Sequence, residues 1–149
     1  MNPMEGMANQ MSWIGRNTAH NLGFIPQDKL NWKPAPTAKS ALEVVAHVTG
    51  FIKAMQPVLS GGEFKPPQFQ TPTSLKEAQD RVTACTEEYA AALNRLTPEQ
   101  LGRTIHLPFG PFPLAQAAGM PVVDLIHHHG QIAYIQTLLG DTEDHLLMG

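Results

Sequence analysis

Proline and glycine collect in three stretches of this chain, 23–37 (GFIPQDKLNWKPAPT), 61–73 (GGEFKPPQFQTPT) and 98–113 (PEQLGRTIHLPFGPFP). Both residues interrupt regular structure, so these stretches mark turns and loops and leave four long segments between and beyond them. None of the four alternates convincingly with period two, whereas each repeats apolar residues at helical spacing. The chain therefore reads as all-α, a four-helix bundle.

Each segment carries its own helical signals. Met4, Met7, Met11, Ile14 and Leu22 mark one apolar face of the first. Ser40 and Glu43 form a capping box at the start of the second, and Val44, Val48, Phe51, Ile52, Met55 and Leu59 follow as its buried stripe. Ser74 and Glu77 open the third in the same way, ahead of Leu75, Ala78, Val82, Cys85, Tyr89 and Leu93. Thr97 and Pro98 begin a short turn of helix that Gly102 ends. The last helix is expected from about Leu114 to Leu139, with Gly140 as its cap and a kink or restart at Pro121.

The loop between the second and third helices, roughly 13 residues, can span on the order of 40 Å when extended. A 20-residue helix is about 30 Å long. The loop can thus run the length of the bundle and set those two helices parallel, an up-down-down-up arrangement. Residues 1–149 are expected to form a single domain.

Composition excludes several functions. A net charge of −3 leaves no basic footprint for nucleic acid. No run approaches the roughly 20 apolar residues that span a bilayer, and MNPMEGMANQMSW lacks the pattern of a signal peptide. The single cysteine, Cys85, fits a reducing compartment, so a cytoplasmic location is expected. Its place on the apolar stripe makes it a core residue rather than a nucleophile.

The chemistry gathers in VVDLIHHHGQIAYIQTLLGD, residues 122–141. With Leu125 at zero on a helical wheel, His127 lands about 200° away and faces solvent. His128 and His129 straddle the apolar stripe at about −60° and +40°, so periodicity does not choose between them. Neighbours on one helical face lie three and four residues apart. For His129 these are Leu125, Ile126, Ile132 and Ala133, and none is a ligand. Four residues before His128 stands Asp124, whose carboxylate can meet the imidazole from the adjacent turn. A bundle metal site needs a further ligand from a facing helix, and the second helix offers His47, one position off its stripe. His47, Asp124 and His128 make a two-histidine, one-carboxylate set suited to zinc or nickel, with iron or manganese as other choices. The plainer alternatives are a core-edge histidine at 47 and a helix-stabilising pair at 124 and 128.

These residues resemble the DinB/YfiT-like superfamily of four-helix metalloenzymes over nearly the whole chain. The resemblance lies in FIPQDKLNWKPAPTAKSALEVVAHVTGF, residues 24–51, with its tryptophan–proline loop, serine-capped helix and helical histidine. It returns in DLIHHHGQIAYIQTLLGD, a histidine followed by Gly-Gln-Ile and a Leu-Gly end. It implies that His47 and His128 are metal ligands and that His129 stands where an arginine is common. The family usually has a third histidine where this chain has Asp124, although the mycothiol-dependent maleylpyruvate isomerases place a carboxylate there. It further implies a homodimer, a small-molecule substrate and a divalent metal. The activity implied is either transfer of a low-molecular-weight thiol, such as bacillithiol or mycothiol, or metal-assisted hydrolysis of a small electrophile. The alternative is a non-catalytic, ligand-binding or dimeric stress-related bundle with a degenerate metal site.

Among the remaining candidates, Trp32 beside Pro34 and Pro36 reads as a plug at the end of the core, or else as one wall of a pocket. His106 reads as a surface histidine. His20 is a distant candidate ligand, and Gln131 is a polar neighbour of the histidine run with no assigned chemistry.

Overall fold

The computed structural model describes residues 2–149. Four long helices, α1 (Glu5–Leu22), α2 (Ala41–Leu59), α3 (Leu75–Asn94) and α5 (Leu114–Leu138), form the bundle, and α4 (Pro98–Leu101) is a single turn. Asn2 reaches Asn94, and Gln79 on α3 donates to the Ala19 carbonyl, so α1 and α3 run antiparallel. His47 faces His128 across α2 and α5, while Cys85 on α3 donates to the Thr49 carbonyl of α2. Met7 lies beside Gly119 and Asn21 beside Gln136, which sets α1 and α5 parallel. The topology is up-down-down-up, as the reach of the loop between α2 and α3 allows.

The helix ends follow from the sequence. Ser40 accepts from the Glu43 amide, and the Glu43 carboxylate accepts from the Ser40 amide, so the capping box on α2 is complete. On α3 it is only half formed. Ser74 accepts from the Glu77 amide, but the Glu77 carboxylate takes the amide and hydroxyl of Thr73 instead. Thr97 and Gln100 form a full box on α4. α5 ends in a Schellman motif, with the Gly140 amide on the Thr137 carbonyl and the Asp141 amide on that of Gln136. Gly140, at φ +102°, thus lies one residue beyond the Leu139 cap. Only glycine takes that conformation without strain.

Two findings differ from what the sequence suggests. The last helix does not restart at Pro121, since α5 is continuous through it. The bond missing at the proline is the one to the Ala117 carbonyl. The ring itself is buried against the core, and the Tyr89 hydroxyl donates to the adjacent Ala118 carbonyl, so tertiary packing holds this turn. The third proline-rich stretch also holds a β-hairpin, β1 (Thr104–Leu107) paired antiparallel with β2 (Gly110–Pro113). Its four-residue strands are too short to display alternation, and its prolines mask it.

The core runs the length of the bundle and includes Met4 at the N-cap of α1 and Met11 and Ile14 within it, while Met7 packs half-buried at the core's edge. Cys85 lies in it too, and burial pushes its thiol up to about 11, far from nucleophilic. Trp32 packs half-buried against the same core, as a plug does. Among the described residues, no helix is long and apolar enough to cross a membrane.

Candidate metal centre

Two antiparallel helices bring His47, Asp124 and His128 together. Asp124 and His128 stand one turn apart on α5, and α2 crosses opposite them with His47. The Asp124 Oδ1 atom lies 3.3 Å from His128 Nε2 and 3.8 Å from His47 Nε2. The imidazole centroids are 4.5 Å apart and inclined at 62°, and the three candidate ligand atoms lie within 4.8 Å of one another. Among the described residues this is the one His/Cys/Asp/Glu group so placed.

The three histidines of the run separate as different residues. His127 is exposed. His128 is buried, at 8% exposure. His129 donates from Nε2 to Asn21 Oδ1 at 2.9 Å, and Asn21 donates in turn to Gln136, so this histidine ties α5 to α1 and takes no part in the trio. His20 meets Phe24 edge-on and His106 stands exposed on β1. Neither joins the trio.

Two residues that carried no assigned role support the site. Gln131 accepts from His128 Nδ1 at 2.6 Å, which turns the Nε2 lone pair toward Asp124. Phe69, from the loop 60–74, stacks on His47 with centroids 5.3 Å apart and planes within 18°. The ring lies against Gly50, one turn along α2, where a Cβ would fall 2.8 Å from Phe69 Cδ1. The sequence marks Gln131 as a polar neighbour of the histidine run and no more. Nothing local in the sequence distinguishes Phe69 from the rest of its loop.

The donor set fits a divalent cation. Four ligands at about 2.0–2.1 Å around zinc stand roughly 3.3 Å from one another, which the carboxylate and His128 already match. The other carboxylate oxygen, Asp124 Oδ2, is buried without a hydrogen-bond partner, and such an atom is costly unless something positive meets it. With Nδ1 committed to Gln131, His128 Nε2 and Asp124 Oδ1 face each other as two acceptors unless a proton or a metal lies between them. Burial, the largest influence, pulls the His47 imidazole below its ordinary value, and His128 adds to it against the opposing pull of Asp124. At His128 burial again acts downward as the largest single influence. Hydrogen bonds to Asp124 and Gln131, with the aspartate charge, together outweigh it and raise the imidazole.

A parallel-paired four-helix bundle with a two-histidine, one-carboxylate cluster between its second and last long helices defines the class. The chain belongs to the DinB superfamily, which its residues 10–132 match. It is 33% identical to the uncharacterised Bacillus subtilis (strain 168) protein YjoA, covering 86% of each chain. The crystal structure of YjoA superposes with a TM-score of 0.77 at 26% identity, over 96% of each chain. A DinB-like protein from Bacillus cereus ATCC 10987 gives a TM-score of 0.78 at 20% identity, covering 99% of this chain and all of that one. A conserved protein from Enterococcus faecalis gives 0.81 at 15% identity, covering 95% of this chain and 99% of that one.

Proposed function

We propose that this protein is a divalent-metal-dependent enzyme that joins a nucleophile, a low-molecular-weight thiol or water, to a small electrophile. The observation that carries the reading is the convergence of His47, Asp124 and His128 beside a carboxylate oxygen that has no partner within the protein. The three side chains would hold the metal, with zinc or nickel best suited to two imidazoles and one carboxylate. A bound metal supplies a Lewis-acid position, which lowers the pKa of a thiol or water and polarises an electrophile.

The chain's own residues do the rest. Gln131 fixes the His128 tautomer by holding its Nδ1 proton. Phe69 covers one face of His47 and keeps water from it. Asp124 contributes the negative charge that keeps a cation between two neutral imidazoles. Three protein ligands would leave room for substrate at a bound metal, as catalytic rather than structural sites do.

The test is turnover with paired variants. Protein reconstituted with zinc or nickel is expected to accelerate conjugation of a low-molecular-weight thiol, or hydrolysis, with a panel of small electrophiles. Asp124→Ala is expected to lose both metal and activity. Activity that survives in Asp124→Ala, or in chelator-treated wild type, contradicts the proposal. Full metal occupancy with no turnover across the panel favours the non-catalytic binder instead.

A further inference from the structure

Against the Asp124 side of the trio lies an open chamber, a groove rather than an enclosed cavity, of about 730 Å³ between α1, α2, α5 and the tip of the hairpin; His47 and His128 do not line it. That size falls in the range of small-molecule sites, about 300–1,000 Å³. Asp124 forms part of its wall, and the rest is dominated by Met7, Phe51, Phe109, Met120 and Val123. Phe109 and Val123 are 56% and 68% exposed, and with Met7, Phe51 and Met120 they line one apolar patch rather than standing singly. Phe109 is not a loose tip: it meets Phe112 with centroids 5.7 Å apart and Phe64 edge-on at 6.5 Å. On the opposite wall, Gly119 lets Met7 seat against α5. A Cβ there would fall 3.0 Å from the Met7 methyl carbon.

Charge narrows what fits. Of the lining residues only Asp124 and His127 ionise, and there is no lysine or arginine. No lining side chain offers an anionic ligand a fixed positive charge, and the one cation near it would be the metal held at the Asp124 end. The charge argument therefore applies to the body of the ligand rather than to its reactive end. The cavity lined by Glu63, Arg103 and His106 has the charge this chamber lacks, but none of the trio lines it.

We propose that the chamber holds the body of the substrate, and that the electrophile is an uncharged molecule with a hydrophobic, aromatic or branched frame and one polar reactive end. The polar end lies toward Asp124, and the frame lies on the thioether and aromatic wall. This rests on the metal-centre reading for the chemistry, while the shape and charge of the chamber stand apart from it.

A matched pair of fluorescent probes tests it on the full-length protein, compared metal-free and after zinc reconstitution so that the lining and the ion are read separately. N-phenyl-1-naphthylamine is neutral, and 8-anilinonaphthalene-1-sulfonate carries nearly the same rings with a negative charge. The neutral probe is expected to saturate at one per chain and to bind at least about ten-fold more tightly than the sulfonate. Ala115→Trp, an exposed position on the chamber wall about two and a half turns from Asp124, is expected to abolish that binding with zinc stoichiometry unchanged. Val123→Trp, also exposed, is expected to do the same. Manganese in place of zinc is expected to broaden the probe's proton resonances. Equal binding of the two probes, binding that both tryptophan variants leave intact, or sharp resonances with manganese bound overturns the proposal and leaves the metal reading standing. A wild-type dimer that either variant dissociates, with no probe binding, overturns it in favour of a second copy of the chain. Probe binding that Ala115→Trp abolishes in protein that takes up no zinc supports the chamber and overturns only the metal reading.

Discussion

Gln131 Oε1 lies 2.6 Å from His128 Nδ1, and that single bond decides which imidazole nitrogen faces the carboxylate. Outer partners of metal-bound histidines commonly account for about 10–100-fold in affinity. Gln131→Ala is therefore expected to weaken zinc binding by roughly that factor, read by competition with a chromophoric chelator. The glutamine is exposed, so the thermal midpoint of the metal-free protein should not move. Unchanged affinity would remove Gln131 from the site.

The stack of Phe69 on His47 makes a second prediction. Removing the ring in Phe69→Ala is expected to speed zinc release several-fold, followed by rapid mixing with excess chelator. Gly50→Ala should behave alike, since its Cβ would fall 2.8 Å from the Phe69 ring and 2.9 Å from the Gln68 carbonyl. The Gln70 carbonyl accepts from Arg81, which anchors the loop to α3. Identical release rates in all three proteins would mean that Phe69 decorates the surface only.

The bundle itself depends on a close approach of α1 and α3. A Cβ on Gly15 would come within 2.6 Å of Thr86 Cβ, and closer still to its hydroxyl. Gly15→Ala is expected to destabilise the fold by about 1–3 kcal/mol through overpacking, and Thr86→Gly in the same chain should recover part of that loss. Denaturant titration decides it, with an unshifted midpoint for Gly15→Ala as the contrary result.

Acid stability should depend on the cap of α2. The Ser40 amide and then Lys33 hold the Glu43 carboxyl below its ordinary value of 4.5. A carboxyl depressed in the folded state contributes stability above its unfolded pKa and loses it as pH falls through the folded value. Wild type is therefore expected to lose thermal stability as pH drops below about 4.5 more steeply than Glu43→Gln does. Parallel curves would show that Glu43 takes no part in the acid transition.

Much of this architecture is legible in the chain because helices declare themselves locally. Ser40 and Glu43, Thr97 and Gln100, and the apolar stripes are short-range signals, and they place all four long helices. The trio is legible for a related reason: Asp124 and His128 are one turn apart, and a bundle must bring a facing helix to them. What escapes is mostly tertiary. Pro121 stays helical because of what buries it. Two further misses are local: Glu77 takes Thr73, the residue just before the cap, in place of the Ser74 amide, and the hairpin strands are too short for periodicity to register. Phe69 is brought to His47 by the path of a loop, and the chamber exists only where three helices and the hairpin tip meet.

The central claim is that His47, Asp124 and His128 share a metal ion. Anomalous scattering from crystals of untagged protein reconstituted with zinc, collected on both sides of the zinc edge, tests it most directly. The account expects one peak per chain, within about 2.0–2.2 Å of a nitrogen of each imidazole and an oxygen of Asp124, and no peak in Asp124→Ala. A wild-type map without a peak between these residues, after reconstitution with zinc and again with nickel and manganese at their own edges, would contradict it.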